Sequence, residues 1–272
     1  MTSNQQTIAS SIRLSGIGVH SGEMAHITLC PAPTNTGRIF VSTTDAQLPA
    51  SHLNLLGSNL QTTLGNTHFL VQTPEHLLAA AYLMKIDNLI IRIDGPEVPI
   101  LDGSALPWVC ALQRAGLQKQ TEQAQLFVPE PTHIELGNSL FTVQSSKSLI
   151  LDVTIDFDHP KIGRLQNTFE EEDQLRELAP AQTFGFLSDL PRLKNLNLAK
   201  GADLLNTLVF DETNLKNPNK QRFINEALHH KALDIIGDIS LLNRRVKARI
   251  SSFCPSHALT HSWLQKLDRI SE

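Results

Sequence analysis

The chain has 272 residues, 41% of them hydrophobic, which is enough to bury more than one core and to build two compact domains of ordinary size. A formal net charge of −4, with no long run of Lys or Arg, supplies no basic field for phosphate backbones, so nucleic acid is excluded as a partner. The longest apolar stretches, such as 77–84, fall far short of the ~18 to 20 residues that span a bilayer, and the polar start 1–13 lacks signal-peptide features, so neither a transmembrane segment nor export is expected.

The first half opens with period-two alternation over 26–30 and 38–42, which reads as strands. Thr73-Pro74-Glu75 then supplies an N-cap and a proline at the first helical position, and the strong helix formers of 77–84 follow, so a helix is expected from residue 74. Residues 88–94 return to a strand pattern, and after the Gly95-Pro96 break, 104–114 reads as a second helix. The polar run 118–125 has little to bury and is the best linker, placing a domain boundary near 125 and two domains at 1–125 and 126–272.

In the second half, 132–136 and 139–143 flank Gly137-Asn138 as a hairpin, and 151–157 alternates as a strand. The longest helical pattern runs over 220–242, with Ile224, Leu228, Ile235, Ile239 and Leu242 as its apolar stripe. Each half is therefore expected to carry its own sheet with helices packed on it, an α+β chain with a doubled architecture and no short repeat. Cys30, Cys110 and Cys254 are odd in number and widely spaced, and read as small buried hydrophobes in a reducing compartment.

Chemistry-bearing residues gather at four places. His230 and Asp234, four apart on the long helix, project from one face and can reach one metal ion, although a solvated helix face with a His–Asp hydrogen bond is the favoured reading of that spacing alone. Glu75-His76 at a helix start adds a third ligand type and an adjacent carboxylate; two His and one Asp would hold zinc with a position left for water. His257 lies in a Pro-containing turn, where positioned groups are common, and Asp238 is either its orienting partner or an exposed charge. Gln182-Thr-Phe-Gly-Phe186 sets a hydroxyl beside two aromatics, so Thr183 can donate to a developing oxyanion; the plainer reading is a strand entering the core.

Taken together, Ser15-Gly-Ile-Gly-Val-His20-Ser-Gly22, Pro31-Ala-Pro-Thr-Asn-Thr-Gly37, Thr73-Pro-Glu-His76, Pro96-Glu-Val-Pro-Ile-Leu-Asp-Gly-Ser104, Phe157-Asp-His-Pro-Lys-Ile-Gly163, Gln182-Thr-Phe-Gly-Phe186, His230-Lys-Ala-Leu-Asp-Ile-Ile-Gly-Asp238 and Ser256-His-Ala-Leu259 resemble, in order, the UDP-3-O-acyl-N-acetylglucosamine deacetylases. The resemblance implies a cytoplasmic zinc enzyme of lipid A biosynthesis, with two β-α sandwich domains enclosing the site and the second carrying most of it. It implies one Zn2+ per chain on His76, His230 and Asp234, and ferrous iron suits the same donors. Glu75 is implied as general base, His257 held protonated by Asp238 as general acid, and Thr183 as oxyanion donor. Lys231 is implied as a substrate or catalytic contact, and Phe184, Phe186 and 190–203 as the wall of an acyl passage for the lipid-linked sugar nucleotide. A monomer is the default.

The chain departs from the family pattern where Pro74 replaces a Val, Lys200-Gly201-Ala202 replaces a Gly-Gly, Gln182 replaces an Arg, and Gln61 replaces a Cys. Lys200-Gly201-Ala202 puts the local loop in doubt, and Gln61 removes a thiolate able to take a surplus metal ion. Two other functions compete with the deacetylase: a zinc amidase acting on another acylated sugar or peptide, and a catalytically silent sugar-nucleotide or acyl-chain binder. A missing ligand or base would mark the binder, and none is missing.

Overall fold

The computed structural model describes residues 3–57, 60–170 and 172–268. Six α-helices are described: α1 (Glu75–Leu83), α2 (Leu106–Ala115), α3 (Glu172–Arg176), α4 (Leu190–Asn195), α5 (Glu226–Ile239) and α6 (His257–Asp268). Among the described residues no helix is long and apolar enough to cross a membrane.

Two five-stranded, mostly antiparallel sheets carry the molecule. The first has the order Ile12–Ile17, Met24–Pro31, Leu89–Asp94, Arg38–Val41, Gln47–Pro49; the second has Thr132–Leu136, Ser139–Ser145, Ala248–Phe253, Ile150–Phe157, Gly163–Phe169. In each, only the third and fourth strands pair in parallel. The expected doubling is thus present as topology: strands one, two, five, three and four of each half lie side by side in that order. Alternation drives both, with Ala25, Ile27 and Leu29 buried from one strand and Leu151, Val153 and Ile155 from its counterpart.

Helices fill the space against these sheets. α1 precedes the central strand Leu89–Asp94 of the first sheet and α5 precedes Ala248–Phe253 of the second; α2 and α6 follow the same two strands. α1 and α5 pack on each other, and nearly every residue of α1 is buried, as expected of a helix enclosed on all sides. Gly237 makes their approach possible. A Cβ at that position would lie 2.5 Å from the Glu75 carbonyl oxygen and 3.0 Å from its Cβ.

Several expectations are corrected. The polar run expected as a linker is the strand Leu117–Gln123, paired antiparallel with Asn4–Ile8. Its side chains bury little, but its backbone groups are satisfied by a segment more than a hundred residues away, which local composition does not reveal. The long helix begins at Glu226, because the buried Glu226 carboxylate accepts hydrogen bonds from the backbone N–H groups of Gln182, Arg222 and Phe223 and holds the preceding chain out of helical geometry. Ile224 consequently stands 94% exposed and is no part of the apolar stripe.

Thr73 does not cap α1. Its backbone is left-handed, φ 54°, an uncommon and strained state for a β-branched residue. Its hydroxyl lies 2.8 Å from Glu97 and 2.9 Å from Gln61. The three cysteines are free but half-buried rather than buried.

Candidate metal centre

The centre forms where α1 meets α5. His76 is the second residue of α1, while His230 and Asp234 are one turn apart on α5. His230 Nε2 lies 3.3 Å and His76 Nε2 3.9 Å from Asp234 Oδ1, and one donor atom from each residue falls within 4.8 Å of the other two. The two imidazoles meet edge to face, with centroids 5.0 Å apart. His230 Nδ1 faces the Ala181 carbonyl at 3.1 Å; the N–H belongs there, leaving the Nε2 lone pair for the centre.

Burial sets the protonation of this group. It lowers the His76 pKa to about 3, helped by the neighbouring His230, and it lowers that of His230 too, so both rings are neutral at neutral pH. Burial opposes ionisation of Asp234, but His230 and Lys231 outweigh it and hold the carboxyl well below its usual range. Two neutral imidazoles and one carboxylate from the protein form the donor set of a catalytic zinc site rather than a structural one. The residues fit a divalent cation of that class.

Two further groups flank the donors. Glu75 Oε1 is 3.8 Å from His257 Nε2, and Oε2 accepts from the backbone N–H of Thr62 at 3.4 Å. Burial raises the Glu75 pKa to about 8 against the pull of His257. His257 opens α6, with Nδ1 2.9 and 3.0 Å from the two oxygens of Asp238. Burial disfavours the imidazolium, but Asp238 outweighs it and lifts the pKa to about 10. Asp238 is buried, not an exposed charge; His257 and His261 overcome its burial and keep it ionised.

Glu75, His76, His230, Asp234 and His257 line one part of a cavity of about 490 Å³. Phe184, Phe186, Leu187 and Leu190 line it, together with Thr183 and Lys231. The segment 184–186 is a short, half-buried strand paired in parallel with Leu208–Phe210, so the aromatics face the cavity edge rather than a closed core. Lys231 Nζ lies 2.9 Å from Asp234 Oδ2 and 5.7 Å from the Phe184 ring centroid, so its ammonium is already held by one of the donors.

The family model for LpxC, UDP-3-O-acyl N-acetylglycosamine deacetylase, matches residues 5–269. The chain belongs to the LpxC family. It is 39% identical over 270 residues to the UDP-3-O-acyl-N-acetylglucosamine deacetylase of Myxococcus xanthus, covering 97% of this chain and 86% of the relative. It is 38% identical to those of an Anaeromyxobacter species and of Oleidesulfovibrio alaskensis, covering 97% and 99% of this chain and 88% and 90% of theirs.

Against the LpxC pattern, the departures now have places. Gln182 is 1% exposed and donates to the Asp102 and Leu205 carbonyls, away from the cavity. Arg222 reaches the same stretch, pairing with Asp102 at 2.8 Å and donating to Ser104. Gly201 keeps its close approach: a Cβ there would sit 2.2 Å from the Gly18 carbonyl oxygen. Ala199, Lys200 and Gly201 donate backbone N–H groups to His20 and Val19, so the altered loop still clamps the His20 turn. Gln61 is buried against Thr73.

Four residues of this region had no role assigned from sequence. His20 lines the cavity. Glu97, fully buried, accepts from the His20 and Ser21 backbone and from Thr73, tying the His20 turn to the start of α1. Thr62 and His261 both touch Asp238. His20 and Glu97 stand inside quoted motifs and Thr62 directly follows the Gln61 departure from the family pattern, so their signal was available; His261 had none, being joined to the site only by the fold.

Proposed function

We propose that this chain hydrolyses the N-acetyl group of UDP-3-O-(3-hydroxyacyl)-N-acetylglucosamine, releasing acetate and the free amine for lipid A biosynthesis, with one zinc ion on His76, His230 and Asp234. The observation that carries this reading is the placing of Glu75 and His257, 3.8 Å apart, beside that donor set in a cavity with an apolar wall. Zinc would supply Lewis acidity toward the amide carbonyl and acidify a nearby water.

Glu75 takes a proton from the attacking water as its oxygen bonds to the acetyl carbon. The cationic His257 and the Thr183 hydroxyl stabilise the charge that develops on the carbonyl oxygen, because that charge appears only in the transition state. His257 then gives its Nε2 proton to the departing amine as the C–N bond breaks, and Asp238 holds Nδ1 throughout. Lys231 keeps Asp234 oriented and presents its remaining hydrogen-bond capacity to the substrate. Phe184 and Phe186 shield part of the acyl chain, at about 25 cal/mol per Å² of apolar surface removed from water.

Residues 1–125 and 126–272 act as two domains of a monomeric, cytoplasmic enzyme, a location that suits free cysteines and a sugar-nucleotide substrate. Metal-stripped protein should release no acetate from this substrate, and one equivalent of zinc should restore turnover. Zinc-loaded protein that releases none would retire the substrate and leave another acylated amide, or binding without catalysis.

A pH profile tests the two proton carriers. Glu75 must be ionised, and burial lifts its pKa to about 8 before any cation is added; a bound dication lowers it, so the acid limb of kcat/KM is expected below 8. His257 must stay protonated, so activity should persist above neutrality and fall as pH approaches about 10. Asp238→Asn removes the carboxylate that sustains the cation, and the alkaline limb should move down toward the usual imidazole value of about 6.5. An alkaline limb unmoved by that substitution would exclude His257 as the acid.

A further inference from the structure

The His257–Asp238 pair is part of a larger buried cluster. Asp238 Oδ1 accepts from the Thr62 hydroxyl at 2.8 Å and lies 3.2 Å from His261 Nε2, while Thr62 Oγ1 is 3.1 Å from the same nitrogen and 3.4 Å from His257 Nδ1. Asp238, Thr62 and His261 are each at most 3% exposed. His261 is one turn beyond His257 on α6, faces away from the cavity and touches no substrate space.

Proton bookkeeping fixes the roles. An ionised carboxylate only accepts, so His261 must carry its hydrogen on Nε2 to face Asp238. Its other nitrogen, Nδ1, is buried without a hydrogen-bond partner. A proton there would leave an unpaired cationic N–H in the interior, whereas a bare nitrogen leaves only an unused lone pair, the smaller cost. His261 therefore meets Asp238 through its Nε2–H, with nothing placed to receive a second N–H, whereas both oxygens of Asp238 lie within 3.0 Å of His257 Nδ1.

We propose that His261 is a positioning residue: its Nε2–H, with the Thr62 hydroxyl, fixes the Asp238 carboxylate and shares its charge, so that His257 is gripped firmly enough to stay cationic yet releases its proton to the leaving amine. This deepens the proposed reaction and rests on it. Asp238 divided among three donors is a weaker base than Asp238 bound to His257 alone, so His261 moderates a pair that would otherwise hold its proton too tightly.

The groups facing His257 are Asp238, Asp234, His230 and Lys231 from α5, Glu75 and His76 from α1, His20 from the turn after Ile12–Ile17, and His261 from α6 itself. His261, like Thr62, combines contact with Asp238 and separation from the cavity, so its replacement alters the grip without altering what lines the cavity.

The test compares zinc-loaded wild type with His261→Phe, which keeps a ring and loses the donor, and His261→Gln, which keeps an N–H. The His257 imidazole is followed by NMR titration, its resonance assigned by loss in His257→Gln, beside the pH dependence of kcat and kcat/KM; thermal unfolding checks the fold of each variant. In His261→Phe the His257 midpoint and the alkaline limb are both expected to rise by about one pH unit, and kcat to fall about tenfold with little change in KM. His261→Gln should bring both most of the way back. A loss of kcat in His261→Phe with neither midpoint moved, or equal behaviour of the Phe and Gln variants, overturns the assignment. If wild type releases no acetate, the proposed reaction fails, and the NMR titration alone decides the role of His261.

Discussion

Glu75→Gln is expected to lower kcat by about 10²- to 10⁴-fold while leaving metal content and KM nearly unchanged. Gln has the size and shape of Glu and can still accept the Thr62 N–H hydrogen bond, so packing at the start of α1 is kept. What disappears is a basic oxygen 3.8 Å from His257 and next in sequence to His76. Burial raises the basicity of the Glu75 carboxylate and a bound dication lowers it, but a carboxylate remains a proton acceptor, and an amide is none at all. Measured zinc stoichiometry and initial rates on the same preparation decide it. A variant that keeps a tenth or more of the activity would remove Glu75 from the proton path.

Gly237→Ala should loosen the metal centre from a position that touches no ligand. The added Cβ would lie 2.5 Å from the Glu75 carbonyl oxygen, which is backbone and cannot swing aside, so α1 and α5 must separate. His76 is on one of these helices and His230 and Asp234 on the other, so separation stretches the donor set directly. Overpacking of this kind costs about 1 to 3 kcal/mol of stability. Disturbing the support of a metal site typically costs about 10- to 100-fold in affinity, and a loss in that range is expected here. Chemical denaturation and a competition titration with a zinc chelator read the two effects separately. Unchanged affinity would mean that the helices tolerate the shift without moving their ligands.

Much of the fold was legible because alternation and capping are local signals. The hairpin at Gly137-Asn138 appears with Leu136 opposite Ser139, and the strands near 26–30, 88–94 and 151–157 stand where period two placed them. The misread segments share one cause, a distant partner. Leu117–Gln123 is a strand only because Asn4–Ile8 pairs with it, the start of α5 is delayed by a carboxylate that binds the backbone of the residues just before it and of distant Gln182, and Thr73 leaves the capping role because Glu97 claims its hydroxyl. The candidate site was read chiefly through ordered motifs. The i, i+4 spacing of His230 and Asp234 carried a physical argument of its own, but nothing local tied His76 to them across 154 positions of sequence, or Thr62 and His261 to Asp238.

The repeated strand order has a consequence for how such a centre is specified. α1 and α5 occupy equivalent places, each leading into the central strand of its own sheet, and they meet face to face. Two identical helices meeting in this way would have to present every side chain twice, so that each ligand or base on one would have a copy on the other. Joining the copies in one polypeptide lifts that restriction: one helix start is free to carry Glu75 and His76 while its counterpart carries His230, Asp234 and Asp238. An unequal division of side chains between the two helices is thus a property that one continuous polypeptide permits and that an isologous pairing of equal halves would duplicate.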